Sequence, residues 1–580
     1  MNTIDYFLNP SSVAQKQYEA LRMFFVEKKK GEEVAKIFGY SYRAFTSIVS
    51  DFRKKIREGT QEDIFFQKRQ KGRKENTDKD LLKSIVFDLR KKFYSVEDIK
   101  IVLDGKGYGI SEKNIYLMLK KEGFGRLPRR TKEEKQKLEV TQIQAEKSEV
   151  LSFKEESFKS ASAGTLCFLP YIHKHGIDKI IEQSNYPQTK TIDRLSSILS
   201  FVALKLSNVR RYSADNLWCM DRGGGLFAGL NVLPKVAWYT SYSDRVTSDM
   251  NLKFLKQLHQ LWLSKGMLSD TANLDFTTIP YWGEDKHLEN NWSGKRGKAM
   301  SSMLAVLAHD PDSGLIDYGN TNIMHKNESS VVLEFLDFYR EGNKKQEDLK
   351  YLIFDSKFTN YENLGKLDDK GIKFITIRRR GKNIVEQIEA VDKNKWKTIR
   401  IESAGNKKRT LRVTDEIIYL KGYGKEIRQI CITGHGKIKP AIIITNDFDI
   451  KLEMVLRKYS RRWLIEKSIA EQIQFFHLNN VSSSMVIKVD FDLTMSILAH
   501  NIYRLFAMDL ERYSHASVNT LYEKFIFNTA DIDIEPHQIV VKLKKKRNLP
   551  LVLETMDMYS DFVYPWLDNK KISFQGASYS

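Results

Sequence analysis

The sequence predicts a multidomain chain: small helical domains in front of an α/β core that carries a mainly β insertion. Three observations predict this. The chain has 580 residues, and single cores stop growing at about 250–300 residues. Helical apolar periodicity dominates to residue 267 and then gives way to short β-branched runs separated by turns. Charge is uneven, because residues 1–135 hold 31 basic and 20 acidic residues and so +11 of the net +21. Such an excess fits a polyanionic partner better than small acidic substrates.

With 41% hydrophobic residues the chain can bury cores. Cys167, Cys219 and Cys431 lie far apart among apolar residues, which reads as buried thiols in a reducing cytosol and not as a structural zinc site. The first residues lack the pattern of a signal peptide and no run of eighteen apolar residues occurs, so a soluble intracellular protein with no membrane partner is expected.

Residues 1–66 form the first domain. Residues 14–55 read as three short helices, the second and third separated by Gly39-Tyr40-Ser41, where Gly suits a helix end and Ser an N-cap. This is the helix-turn-helix pattern, although any three-helix bundle could show it. In the first reading Arg43, Thr46, Ser47 and Ser50 face DNA bases, and Arg53, Lys54, Lys55 and Arg57 face phosphates. Residues 67–76 are a basic linker in which Lys71, Arg73 and Lys74 either reach a minor groove or are simply solvated. Residues 77–130 read as a second helix-turn-helix-like domain and 131–163 as a helical or flexible connector. Residues 164–267 read as helical, with Gly223-Gly224-Gly225 as a loop, since no Lys-Ser/Thr pair follows to make a phosphate loop.

From residue 268 the order becomes strand, strand, strand, helix, strand, helix, strand. The strands are 272–278, 302–308, 314–320, 349–354 and 372–377; the helices are 328–339 and about 360–367. This resembles the ribonuclease-H-like order, with its first part at 268–379, a β insertion at 380–448, a second part at 449–515 and a C-terminal region at 516–580. Asp275 lies on the first strand and Asp355 ends the fourth. Residues 458–474, read as one helix, place Tyr459, Arg462 and Glu466 on one face beside an apolar stripe of Ile465, Ile469 and Phe476. By itself that face reads first as a surface helix whose Arg462 and Glu466 make an i,i+4 ion pair.

Asp275, Asp355 and Glu466, together with Tyr459-Ser-Arg-Arg462-Trp-Leu-Ile-Glu466, resemble the DDE-superfamily insertion-sequence transposases. The likeness is to the branch with a Tyr-x-x-Arg-x-x-x-Glu signature and a β insertion, over roughly residues 268–510. The resemblance implies a DNA transposase, cytoplasmic and nucleoid-associated in a prokaryote. It would bind terminal inverted repeats, cleave strands and transfer them, with double-stranded transposon ends and target DNA as partners and a homodimer or higher multimer when ends are paired. It implies that Asp275, Asp355 and Glu466 are catalytic and hold two Mg²⁺ ions, with Mn²⁺ able to substitute. Tyr459 and Arg462 would position the backbone phosphate.

The signature continues in the family to a Lys seven residues past the Glu, where this chain has Ile473. That departure leaves a catalytically impaired, transposase-derived DNA-binding protein as the alternative. Lys295, Arg296 and Lys298 in a glycine-containing loop are further DNA-binding candidates, and the basic stretches 378–380 and 407–409 are either DNA-tracking edges or solvated tips. Trp282, Trp292 and Trp463 read as base-stacking or core residues. His287, His309 and His325 lack a metal-ligand spacing.

Overall fold

Short hydroxyl side chains begin the first helices where backbone amides are free. Ser12 accepts from Gln15 N and opens α1 (Val13–Phe25); after α2 (Gly31–Ile37), Ser41 accepts from Ala44 N and opens α3 (Tyr42–Arg57). Gly39 makes the turn between α2 and α3 at φ +63°. Ala20, Leu21, Val34, Phe38, Phe45 and Val49 close this unit around its own small core.

The computed structural model describes residues 7, 12–57, 79–91, 94–105, 108–125, 154–189, 191–210, 216–281, 288–293, 297–341, 349–379, 381–403, 407–434, 440–480 and 486–578. The predicted linker 67–76 lies outside them. The chain divides into two compact units, Met1–Leu82 and Lys83–Ser580.

The second unit begins within α4 (Lys79–Lys91) and continues through α5 (Val96–Gly105) and α6 (Glu112–Lys121). The predicted connector 131–163 is not without a strand. Glu156–Ser160 is β1, an alternating Glu-Ser-Phe-Lys-Ser run whose partner comes from the far end of the sequence. Among the described residues seven α-helices follow: α7 (Leu169–Lys174), α8 (Ile177–Gln183), α9 (Arg194–Leu206), α10 (Asn216–Cys219), α11 (Arg222–Phe227), α12 (Val236–Ser243) and α13 (Ser248–Ser264).

The three glycines expected to form a loop lie inside α11, capped by Asp221. A Cβ at Gly223 would stand 2.1 Å from Ser160 Oγ, and one at Gly225 2.5 Å from Asn231 O, so close packing against other segments, not turning, explains them.

The central sheet is built from β2 (Thr271–Pro280), β3 (Asn290–Ser293), β4 (Lys298–His309), β5 (Ile316–Ile323), then, after α14 (Val331–Glu341), β6 (Tyr351–Phe354), and, after α15 (Tyr361–Asp369), β7 (Lys373–Ile377). The strands run β5-β4-β2-β6-β7, with β2, β6 and β7 parallel and the others antiparallel.

The β insertion continues the central sheet. After α16 (Lys382–Glu389), its strands β8 (Lys397–Ser403), β9 (Lys407–Leu420), β10 (Lys425–Thr433) and β11 (Ala441–Thr445) form a meander, and β11 pairs with β7, extending the same sheet to ten strands.

Next come α17 (Leu452–Ser460), α18 (Trp463–Gln474) and α19 (Val486–Asp509). The last of these packs on β5, where a Cβ at Gly319 would lie 2.5 Å from Ile497 Cδ1. Beyond α20 (Val518–Leu521), the strands β12 (Ala530–Ile534), β13 (Gln538–Leu543), β14 (Val563–Tyr564) and β15 (Lys570–Gly576), with α21 (Leu549–Asp557), make a second sheet in the order β1-β12-β13-β15-β14. Among the described residues no helix is long and apolar enough to cross a membrane.

Gly164 marks a place where this packing has no spare room, since a Cβ there would lie 1.8 Å from the carbonyl oxygen of Ile526. Gly164→Ala is expected to destabilise the second unit by about 1–3 kcal/mol, read as a lower thermal unfolding midpoint. An unchanged midpoint would refute the close approach.

Candidate active site

The parallel register of β2 and β6 sets two acids side by side. Thr271 lies opposite Tyr351 and Leu274 opposite Phe354, so the next residues in register are Asp275 and Asp355. Asp275 is half-buried within β2, and its Oδ1 accepts from Phe276 N at 2.8 Å. Asp355 leaves the end of β6 and caps the turn Ser356–Phe358, accepting from Ser356 N at 2.6 Å. Below the acids, the Phe276 and Phe358 rings stack at 3.9 Å and 6°, tying the two acid-bearing segments together. Neither ring was singled out in the sequence; each follows an acid by one or three residues, which was the available signal.

The predicted helix 458–474 is interrupted. α17 ends at Ser460 and α18 starts at Trp463, and the backbone between them tightens into bonds from Arg462 N to Tyr459 O, Leu464 N to Arg461 O and Ile465 N to Arg462 O. Those i→i+3 bonds are of the 3₁₀ kind. The break is held by side chains from the sheet: Asn273 Nδ2 donates to Arg461 O at 3.2 Å, and the Arg461 guanidinium bonds Pro311 O at 2.7 Å and Asp312 at 2.6 Å. Ile465, Ser468 and Gln472 face inward, and α18 packs on β2 and β4.

Because the break keeps Arg462 helical, Glu466 still stands one turn beyond it. The Arg462 guanidinium then joins two acids, donating from Nη1 to Asp275 Oδ2 at 2.7 Å and from Nη2 to Glu466 Oε1 at 2.7 Å. Arg462 and Asp275 are 15% and 17% exposed at their side chains, whereas Glu466 is 55% exposed. Burial pushes the Asp275 carboxyl up to about 6; Arg462 and the Phe276 amide oppose this, and the charges of Asp355 and Glu466 add to it. Burial lowers the pKa of Arg462, but Asp275, Tyr459 and Glu466 outweigh it, so the guanidinium stays charged. Tyr459, beneath the guanidinium at 5.9 Å, is pushed up to about 12, chiefly by burial. One cation thus serves three carboxylates and a neutral phenol. Among the described residues no three His, Cys, Asp or Glu side chains converge closely enough to hold a metal ion in this arrangement.

Of the other candidates, Lys298 is exposed at the start of β4 opposite Ser293, and Lys295 and Arg296 lie outside the described residues. Arg43, Thr46, Ser47, Ser50, Arg53 and Lys54 are all exposed on α3 of the first unit, where Arg53 lies 5.5 Å over the Phe25 ring. Lys71, Arg73 and Lys74, Trp282 and His287 are outside the described residues. Trp292 is 65% exposed on β3, and Lys467 covers the Trp463 ring at 4.0 Å. Burial drives His309 down to about 3, so it stays neutral in the core, and His325 bonds Asn291. Arg379 Nε donates to Ser356 O at 3.2 Å beside Asp355, while Arg378 is tied to Gln429. Ile473 is half-buried and Gln474 exposed.

Residues 270–502, which include all three acids and Arg462, match the family model described as a transposase DDE domain. This segment is similar to transposase DDE domains. The solved cryo-electron microscopy structure of a piggyBac transposase synaptic complex with hairpin DNA is similar at a TM-score of 0.31 and 9% identity, covering 71% of this chain and 86% of that one. No curated protein matches the sequence. The matched segment takes in β2–β11 and α14–α18 and ends within α19.

The raised pKa of Asp275 has a stability consequence with a defined sign. A carboxyl at about 6 in the fold and about 3.9 when unfolded binds its proton more tightly in the native state. Stability therefore falls as pH rises from about 4 to about 6 and is level above that, a loss of roughly 3 kcal/mol. Asp275→Asn is expected to raise the unfolding midpoint of the metal-free protein at pH 7.5, with the gain vanishing below about pH 4. A midpoint lowered at pH 7.5 would show that the Arg462 pair outweighs burial.

Proposed function

We propose that the chain is a DNA transposase that binds the terminal inverted repeats of its element, cuts DNA strands at those ends and joins the freed 3′ ends to target DNA. The observation that carries this is the placement of Asp275 and Asp355 on adjacent parallel strands, bound through Arg462 to Glu466, within a transposase DDE domain. The strand order β5-β4-β2-β6-β7 supports a ribonuclease-H-like core, with Glu466 on α18 linked through Arg462 to Asp275 within its first strand.

Transposases with such domains generally work with divalent metal ions, and the donor type here, three carboxylates, suits such ions. Three hard carboxylates stand near enough to one another for Asp355 and Glu466 to raise the Asp275 pKa, and one guanidinium leaves their negative charge in excess. Asp275, Asp355 and Glu466 would hold Mg²⁺, or Mn²⁺ in its place. The metal supplies activation of an attacking hydroxyl and neutralisation of the departing oxygen. With Arg462 bonded to Asp275 and Glu466, the acids are free to act as ligands only when that guanidinium turns away. A DNA phosphate offers it an equivalent pair of oxygens, which suits a planar bidentate donor better than it would suit Lys. Tyr459, kept neutral by its burial, can donate to the same phosphate. The exposed α3 of the first unit supports a helix-turn-helix reading for end recognition, with duplex DNA as partner and a multimer when two ends are paired.

Glu466→Gln is expected to leave binding of end DNA unchanged while abolishing Mg²⁺-dependent strand cleavage on a labelled duplex; retained cleavage overturns the assignment. Arg43→Ala is expected to cost about 1–3 kcal/mol in binding to the preferred end and to relax discrimination there, whereas Lys54→Ala should weaken all duplexes alike. Competition between end and random duplex separates the two. Ile473 favours a second reading, a DNA-binding descendant that no longer cuts. In that case wild-type protein shows no cleavage, and Ile473→Lys restores it.

A further inference from the structure

The C-terminal sheet carries a cationic turn outside the catalytic site. Between β13 and α21 the chain runs Lys544-Lys545-Lys546-Arg547-Asn548. A charge run is most often a solvated face, but three features separate this one from that reading.

It is fixed in place. Lys544 N donates to Thr529 O and Asn528 Nδ2 donates to Lys544 O, both at 3.0 Å. The Lys546 ammonium donates to the carbonyl oxygens of Glu523 at 3.0 Å and of Phe527, and lies 5.6 Å over the Phe527 ring. That ring is itself 63% exposed.

Its outer cations lack acids. Elsewhere on the surface Lys366, Lys425 and Lys571 each hold a carboxylate, and Lys542, just before the turn, holds Asp533. Lys524, Lys544, Lys545 and Arg547 are exposed, and none of them pairs with a carboxylate among the described residues. Lys524, which follows the Glu523 that anchors Lys546, meets Tyr513, donating to its hydroxyl at 3.3 Å and lying 4.8 Å over its ring.

The local electrostatics oppose the arrangement. The run stands directly before the first turn of α21, where the backbone dipole is positive and favours anions over cations. Cations crowded against one another and against a helix N-terminus, on a turn held rigid, break a local rule with no compensation inside the fold; such conflicts mark functional surfaces. A polyanion removes the conflict, and phosphates repeated along a duplex match a row of fixed cations with no need for base contacts.

We propose that Lys544, Lys545 and Arg547, with Lys524 beside them, form a second duplex-DNA contact surface that grips the sugar–phosphate backbone without reading sequence. The surface goes beyond the catalytic reading and does not depend on it. Its role would be to hold DNA that the recognition helices do not select.

The test uses the full chain and a linear duplex of arbitrary sequence, with EDTA present so that cleavage plays no part. Fluorescence anisotropy gives the binding constant from 50 to 300 mM salt for the wild type, for the triple variant Lys544→Gln, Lys545→Gln, Arg547→Gln, and for the charge-conserving variant Lys544→Arg, Lys545→Arg. Lys546 is left in place because it pins the turn. Three lost phosphate contacts should make the slope of log K against log salt shallower by about 2–3 in the triple variant only, with its unfolding midpoint unchanged. A slope equal to wild type overturns the proposal. So does an equal loss in the charge-conserving variant, which would trace the effect to the shape of the turn. Loss of binding to phosphatidylserine vesicles with an unchanged DNA slope overturns it in favour of a membrane surface. Because no metal is present, absence of strand cleavage would leave this result standing, and the reverse also holds.

Discussion

Three carboxylates cannot share a half-buried site without a cation, and Arg462 is the cation this fold provides. Its two amino groups reach Asp275 on a strand and Glu466 on a helix, so one side chain fastens the helical layer to the sheet at the point of greatest negative charge. Much of the surrounding structure keeps that guanidinium in position. Asn273 holds the carbonyl of Arg461, Arg461 itself grips the turn at Pro311 and Asp312, and Ile465 is sunk in the core one turn further on. A buried charge that loses its partner is costly, which is why this much support surrounds one residue.

The acids were legible in the sequence because each depends on a local pattern. Asp275 interrupts an apolar strand, Asp355 ends one, and Glu466 lies four residues from Arg462. The break between α17 and α18 was not legible, since Ser460 to Trp463 contains neither Gly nor Pro and the cause lies in Asn273, nearly two hundred positions away. The reading on one continuous helix still brought Arg462 and Glu466 together, because the tightened bonds at the break keep both on the start of α18.

The other differences share this origin. The glycines at 223–225 looked like a loop because their reason is close packing, with Ser160 approaching Gly223 from 63 positions away and the chain at Asn231 folding back on Gly225, and composition shows neither approach. Where the β insertion's strands pair was not legible, because alternation reveals strands and not their partners; only the pairing of β11 with β7 shows that the insertion enlarges the central sheet. β1 was hidden among Glu, Lys and Ser, a composition that reads as connector until β12 is known to lie beside it.

That last pairing also orders events in time. Ser160 of β1 is matched to Ala530 of β12, 370 positions later. With synthesis proceeding at about 5–20 residues per second, a growing chain holds β1 unpaired for on the order of 20–70 s, long after the strands bearing the acids have left the ribosome. The central sheet can therefore form first, and the sheet that holds β1 and β12 closes later, once both ends of that pairing have been made.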